Sequence, residues 1–192
     1  NGEFEFRLGC LEDEHFSAGV SKEIFDSLER DMLDTSLVPE PSWTEIVDYF
    51  YSDPRQIRTR VEYDRIEMTT KRTHVQKEML SSLMITRDDD PREAARLTVS
   101  IEHPIDDPPS HCIITYVRIK QRRRFADVRL GKTVWNFELS KTWSANTREG
   151  VEYQQHTYEP TYEVECEFVD ECSSYSTERS DREIAHSILM KV

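Results

Sequence analysis

The sequence predicts a mainly β protein, a closed or nearly closed antiparallel barrel with few helices. Many short segments alternate charged and apolar residues, helical spacing is rare, and the charge on the alternating segments changes sign along the chain. Side chains alternate between the two faces of a strand. In 3-EFEFRLG-9, Glu3, Glu5 and Arg7 therefore share one face, and Phe4, Phe6 and Leu8 the other. In 162-YEVECEF-168, Glu163, Glu165 and Glu167 line one face, backed by Tyr162, Val164, Cys166 and Phe168. Carboxylates packed so closely repel one another unless a cation sits among them, and such hard oxygen ligands suit Mg²⁺ or Mn²⁺.

In chain order, 21-SKEIFDSLERDML-33 follows the first strand. Its residues Ile24, Phe25, Leu28 and Met32 form one helical stripe behind an N-cap at Ser21. Residues 44–52 are rich in β-branched and aromatic types. In 56–64, Arg58, Arg60, Glu62 and Asp64 alternate with Ile57, Thr59, Val61 and Tyr63. A weaker strand signal covers 67–76, and a polar loop covers 86–94. A strand over 96–104 sets Leu97, Val99 and Ile101 against Thr98, Ser100 and Glu102, and the Pro-rich 103–110 is a turn. The segment 112–125 places Arg118, Lys120, Arg122 and Arg124 on one face. Residues 133–143 set Trp135, Phe137, Leu139 and Trp143 against Asn136, Glu138, Ser140 and Thr142. A long loop is expected over 144–160, then the final acidic strand, then an amphipathic helix over 180–192 carrying Ile184, Ile188 and Leu189.

The 192 residues suffice for one domain with a real core, and no linker divides them, so residues 1–192 are expected to form a single domain. The chain is 33% charged with a formal net charge of -13, so its overall field does not draw it onto nucleic acid or an anionic membrane. A polyanionic ligand must then be captured by a local basic cluster or through a metal. No apolar run approaches a membrane span and no signal peptide opens the chain. It begins inside a strand-like motif, so residues upstream of Asn1 are expected. Cys10, Cys112, Cys166 and Cys172 form no CxxC pair, which argues for reduced thiols in the cytosol or nucleus. The six scattered histidines predict no zinc site.

Strand after strand thus has one charged and one apolar side. Either the apolar sides fill a conventional core and the charges face water, or the charges point inward and helices cover the outside. Inward charges must balance, since an unpaired buried charge costs several kcal/mol, roughly, per group. They do balance by type, Glu3, Glu5, Glu102, Glu138, Glu163, Glu165 and Glu167 against Arg7, Arg58, Arg60, Arg118, Lys120, Arg122 and Arg124. The inward arrangement would hold a divalent metal on one wall and an extended phosphate chain on the other, which is the equipment of phosphoryl transfer.

On these residues the chain resembles the metal-dependent RNA 5′-triphosphatases of fungi and protozoa, within the triphosphate tunnel metalloenzymes. The likeness runs from Glu3 to Phe168, is closest to the protozoan, trypanosomatid-like members, and is most specific at the paired Glu-x-Glu strands. The resemblance implies an eight-stranded antiparallel barrel around a hydrophilic tunnel, with a few flanking helices. It implies one Mg²⁺ or Mn²⁺ on Glu3, Glu5 and Glu167, with Glu163 and Glu165 supporting its waters. The segment 99-VSIEHPI-105 resembles the family's Leu-Glu-Leu-Pro strand and assigns Glu102 to the attacking water. Arg122 and Arg124 fall on a phosphate-gripping Lys-x-Arg pair, Arg60 and Lys71 match further phosphate contacts, and Lys120 joins them. Glu138 stands for the Asp and Ser140 for the Thr of an Arg-x-Asp-x-Thr pattern whose Arg is here Asn136. Asp48 matches an acidic position that orients a tunnel base.

The activity so implied is hydrolysis of the β–γ bond of a triphosphate-ended RNA, the first step of cap formation. Free nucleoside triphosphates would be hydrolysed with Mn²⁺, a capping guanylyltransferase is the implied partner, and the nucleus the implied location. No membrane association is expected, and the oligomeric state is left open. One rival is a sister tunnel enzyme acting on tripolyphosphate or thiamine triphosphate, although those carry Glu-x-Glu-x-Lys where this chain has Arg7. The other is a non-catalytic interaction barrel with a solvated charged surface.

Overall fold

A computed structural model describes residues 2–64, 68–86, 90, 93–129 and 132–169. The strands are β1 (Gly2–Glu12), β2 (His15–Ala18), β3 (Val38–Pro39), β4 (Thr44–Tyr51), β5 (Ile57–Asp64), β6 (Thr69–Thr86), β7 (Glu93–Pro104), β8 (Ile114–Arg129), β9 (Lys132–Ala145) and β10 (Thr161–Phe168). The helices are α1 (Lys22–Leu33) and α2 (Arg148–Thr157).

Eight strands form a closed antiparallel barrel in the order β10-β9-β8-β4-β5-β6-β7-β1, sealed by β1 pairing with β10. The short β2 extends β1, and β3 pairs with β8. Closure removes exposed sheet edges and puts the first and last strands side by side. Glu5 lies opposite Glu167, and Arg7 opposite Glu165.

The apolar faces point outward, and the two helices pack on two of the three clusters they form. Phe25 of α1 packs with Phe125, Leu139 and Val164. Val151 of α2 packs with Val47, Val61, Val117, Ile119 and Trp143. A third cluster joins Phe6, Ala95, Val134, Trp135 and Cys166. As expected, Ser21 caps α1, its hydroxyl accepting from Ile24 N at 3.3 Å.

Three expectations change. Residues 148–157 are a helix rather than loop, capped by the Thr147 hydroxyl, which accepts from Gly150 N. The weak strand signal at 67–76 belongs to an 18-residue strand running to Thr86, with a register shift between Met79 and Ser81. The first strand also runs on to Glu12. The expected helix over 180–192 and Cys172 lie outside the described residues.

Candidate active site

The charged faces meet inside the barrel. Lys120, Arg122, Glu138, Glu163, Glu165 and Asp48 are buried, and the ion pairs of Lys120 with Glu163 and Glu165 and of Arg122 with Glu62 span strands that are not neighbours in the sheet. Lys120 Nζ lies 2.9 Å from Glu165 Oε1 and 3.3 Å from Glu163 Oε2, reaching from β8 across β9 to β10. Arg58 of β5 donates to Glu102 of β7 at 2.6 Å. Arg122 of β8 lies 3.5 Å from Glu62 of β5. Such bonds form across the concave side of a barrel, where second-neighbour strands approach.

The acidic wall comes from β1 and β10. Glu3 accepts from Lys77 Nζ at 2.8 Å and from Ser100 Oγ at 3.3 Å, and Glu5 lies 3.7 Å from the same ammonium. Arg7 pairs with Glu5 and with Glu165. Burial alone would raise the Glu165 carboxyl, but Lys120 and Arg7 outweigh it and hold the group well below the usual carboxylate range. Glu167 is the opposite case: burial, then the neighbouring Glu138 and Glu3, push it up to about 7. It faces Asn136 across the strand pair, where an arginine would have supplied a positive charge.

This local excess of carboxylate fits a divalent cation. Glu3, Glu5 and Glu167 offer only oxygen, sit on two paired strands, and include one carboxylate that its acidic neighbours destabilise in the charged form. Lys77 now neutralises two of the three, and the trio is not drawn within 4.8 Å of one another.

The basic wall comes from β5 and β8. Asp48, fully buried on β4, accepts from Arg60 Nε at 2.8 Å, Arg60 Nη2 at 3.2 Å and Arg118 Nη2 at 2.8 Å. Burial works against its charge, yet Arg60 and Arg118 keep its carboxyl far below the ordinary value. Asp48 therefore fixes both guanidiniums by hydrogen bonds. The inward Arg58 Nε, Arg118 Nε, Arg122 Nε, Ser140 Oγ and Thr142 Oγ1 are buried without a hydrogen-bond partner. Buried donors without acceptors are costly, and this row of them suits a ligand carrying many acceptor oxygens.

The other expected site residues are less central. The Arg124 side chain is 31% exposed, against 6% for Arg122, and is held by Glu138 at 2.9 Å and Glu40 at 3.6 Å. Lys71 is exposed near the start of β6, opposite Glu62. Lys77 was missed by the sequence reading, although continuing the alternation Lys71, Thr73, Val75 would have placed it on the inner face. A cleft of about 790 Å³ lined by Leu8, Val20, Ile24, Ile85 and Tyr162 lies on the outer face of β1 and takes no part in this constellation.

No protein-family profile and no curated protein sequence matches the chain. Solved structures do. The Schizosaccharomyces pombe (S. pombe) Pct1 RNA triphosphatase superposes with a TM-score of 0.59 at 18% identity, over 87% of this chain and 70% of that one. Pct1 in complex with the Spt5 CTD gives 0.57 at 20% identity, over 87% and 71%. The Mimivirus capping enzyme triphosphatase gives 0.60 at 14% identity, over 100% of this chain and 87% of that one. At these identities the likeness is one of fold: this chain is built on the barrel of the RNA triphosphatases.

Proposed function

We propose that the protein is a metal-dependent RNA 5′-triphosphatase, which removes the γ-phosphate from triphosphate-ended RNA and leaves a diphosphate end for guanylyl transfer. The observation that carries this reading is the row of inward donors without partners on β5, β8 and β9, facing an acidic wall where burial and the neighbouring Glu138 and Glu3 outweigh Arg124 and raise the Glu167 carboxyl. A triphosphate supplies acceptor oxygens to the first wall and, with a divalent cation, charge balance to the second. The shared fold with Pct1 and the Mimivirus enzyme supports the RNA substrate.

Glu3, Glu5 and Glu167 would hold one Mg²⁺ or Mn²⁺, which when bound withdraws charge from the γ-phosphate. Glu163 and Glu165, fixed by Lys120, would orient the water of such an ion. Arg58, Arg60, Arg118, Lys120 and Arg122 position the phosphate chain and neutralise the charge that grows on it, with Arg124 and Lys71 at its periphery. Glu102 orients the attacking water. The water oxygen bonds to the γ-phosphorus, the bridging bond breaks with its electron pair staying on the β-phosphate, and the water's proton passes to solvent. Lys77, 2.8 Å from Glu3 and 3.7 Å from Glu5, supplies positive charge beside two of the residues that would hold the metal. A single domain over residues 1–192, a relation to protozoan enzymes and a nuclear place in capping belong to the same proposal.

The test is phosphate release with and without Mg²⁺ or Mn²⁺, comparing triphosphate-ended RNA with tripolyphosphate and thiamine triphosphate. Metal-dependent release with preference for RNA is the expected result. Preference for either small triphosphate would move the protein to a sister activity, and no release from any would leave a non-catalytic barrel.

A further inference from the structure

A second cluster of metal-ligand side chains lies apart from the barrel interior, where the β4–β5 turn meets the segment leading into β8. Asp53, His111 and Cys112 present a carboxylate oxygen, an imidazole nitrogen and a sulfur that all lie within 4.8 Å of one another. We propose that these three residues form a zinc site, separate from the metal of the triphosphate tunnel, that clips the β4–β5 turn to the loop before β8.

Spacing along the chain could not reveal it. His111 and Cys112 are adjacent, whereas Asp53 is 59 residues from Cys112, so neither a CxxC pair nor a helical His register is involved. The backbone joins the two segments beside the cluster. Ser52 N donates to Ile113 O at 2.9 Å, and Ser52 Oγ accepts from Ile113 N at 3.3 Å. Cys112 N donates to Pro109 O at 2.9 Å, closing the turn that carries His111. The Cys112 thiol donates to Asp53 Oδ2 at 3.4 Å, so two of the ligands already face each other. Arg55 grips both oxygens of the Asp53 carboxylate, donating from Nε to Oδ1 at 2.9 Å and from Nη2 to Oδ2 at 2.7 Å, so Oδ2 is shared with the Cys112 thiol. Ligating carboxylates are commonly oriented by such outer partners.

The donor set selects the metal. One thiolate, one imidazole and one carboxylate suit zinc rather than Mg²⁺, which prefers oxygen throughout. In a tetrahedral site, zinc–ligand bonds of about 2.0–2.3 Å set neighbouring ligand atoms roughly 3.3–3.8 Å apart, a spacing that the Cys112 and Asp53 atoms already have at 3.4 Å. A small side-chain rotation therefore closes the cluster on an ion and leaves the fourth tetrahedral position to water. Binding releases the thiol proton to solvent, and the thiolate and carboxylate then balance the ion's two charges. The clip would tie β4 and β5, which carry Asp48, Arg58 and Arg60, to the start of β8.

The experiment titrates the metal-free 192-residue protein with Co²⁺ alone, then with Zn²⁺. One equivalent of cobalt should produce the thiolate-to-cobalt charge-transfer absorption and intense visible bands of a tetrahedral site. Zinc should bleach them, and excess Mg²⁺ should not. Cys112→Ser should abolish the charge-transfer band, and His111→Ala, at an exposed position, should weaken zinc binding by at least about tenfold. Glu167→Ala should leave the band in place. Absence of the band in the wild-type protein, its survival in Cys112→Ser, or its loss in folded Glu167→Ala would overturn the proposal.

Discussion

Replacing Asp48 with asparagine keeps the shape of the side chain and removes its charge from between two guanidiniums. The carboxylate is 0% exposed and accepts three hydrogen bonds, two from Arg60 and one from Arg118. An amide offers one acceptor oxygen, and its NH₂ would point at a guanidinium. Breaking a buried ion pair by removing one partner costs about 3–5 kcal/mol. Asp48→Asn should therefore lower the unfolding free energy by roughly 3 kcal/mol, since an amide oxygen in the Oδ2 position keeps the bonds to Arg60 Nη2 and Arg118, and lower Tm by roughly 6–12 °C for a chain of this size. Equilibrium urea denaturation of both proteins, with equal m-values, measures the difference. The pH dependence has a definite sign. The folded Asp48 carboxyl lies below its unfolded value, so on acidification the unfolded chain takes up that proton first. The gap between the two proteins should hold steady above about pH 5 and shrink as pH falls below about 4. A difference under about 0.5 kcal/mol at neutral pH would mean that Asp48 does not anchor the basic wall.

Other consequences are as direct. Glu3→Ala and Glu167→Ala should each lose metal-dependent phosphate release while the β circular-dichroism signal is kept, and a folded variant turning over near the wild-type rate would remove the metal assignment. Arg122→Lys should slow turnover by about tenfold or more, equivalent to ~1.4 kcal/mol, because an ammonium cannot reproduce the planar fork on phosphate oxygens. Arg124→Lys, at a partly exposed position shared with Glu40 and Glu138, should lose less, and the reverse order in initial-rate kinetics would shift the phosphate grip along β8. Phe25→Ala should cost about 3–5 kcal/mol of stability without changing KM, and a loss below about 1 kcal/mol in urea titration would mean that α1 does not seal the outside of the barrel.

What could be read from the sequence was whatever kept a strict two-residue period. Glu3 to Leu8, Arg58 to Val61 and Glu163 to Phe168 alternate without interruption, Arg118 to Arg124 does so except at Gln121 and Arg123, and the inner and outer faces of all four lie as the alternation implies. The direction in which the charges point was left open by the residues themselves, since either face of such a strand can be the wet one. Barrel closure and the two covering helices decide it. The second half of β6 was illegible because the register shift between Met79 and Ser81 breaks the period, and Lys77 sits just before the break. Helix α2 gave almost no apolar stripe: Val151 is its buried residue, and Gly150 nearby reads as a loop. The zinc cluster joins two turns, a placement that no local pattern encodes.

The account rests on the claim that the barrel interior cleaves the terminal phosphoanhydride of an RNA end, and positional labelling tests it most directly. Triphosphate-ended RNA carrying the label at the γ- or at the β-phosphate is incubated with the 192-residue protein in Mg²⁺ or Mn²⁺ and in chelator. The account predicts that the γ label leaves as inorganic phosphate, that the β label stays on the RNA, and that chelator stops the reaction. Release of the β label as pyrophosphate, or γ release that persists in chelator, would contradict it.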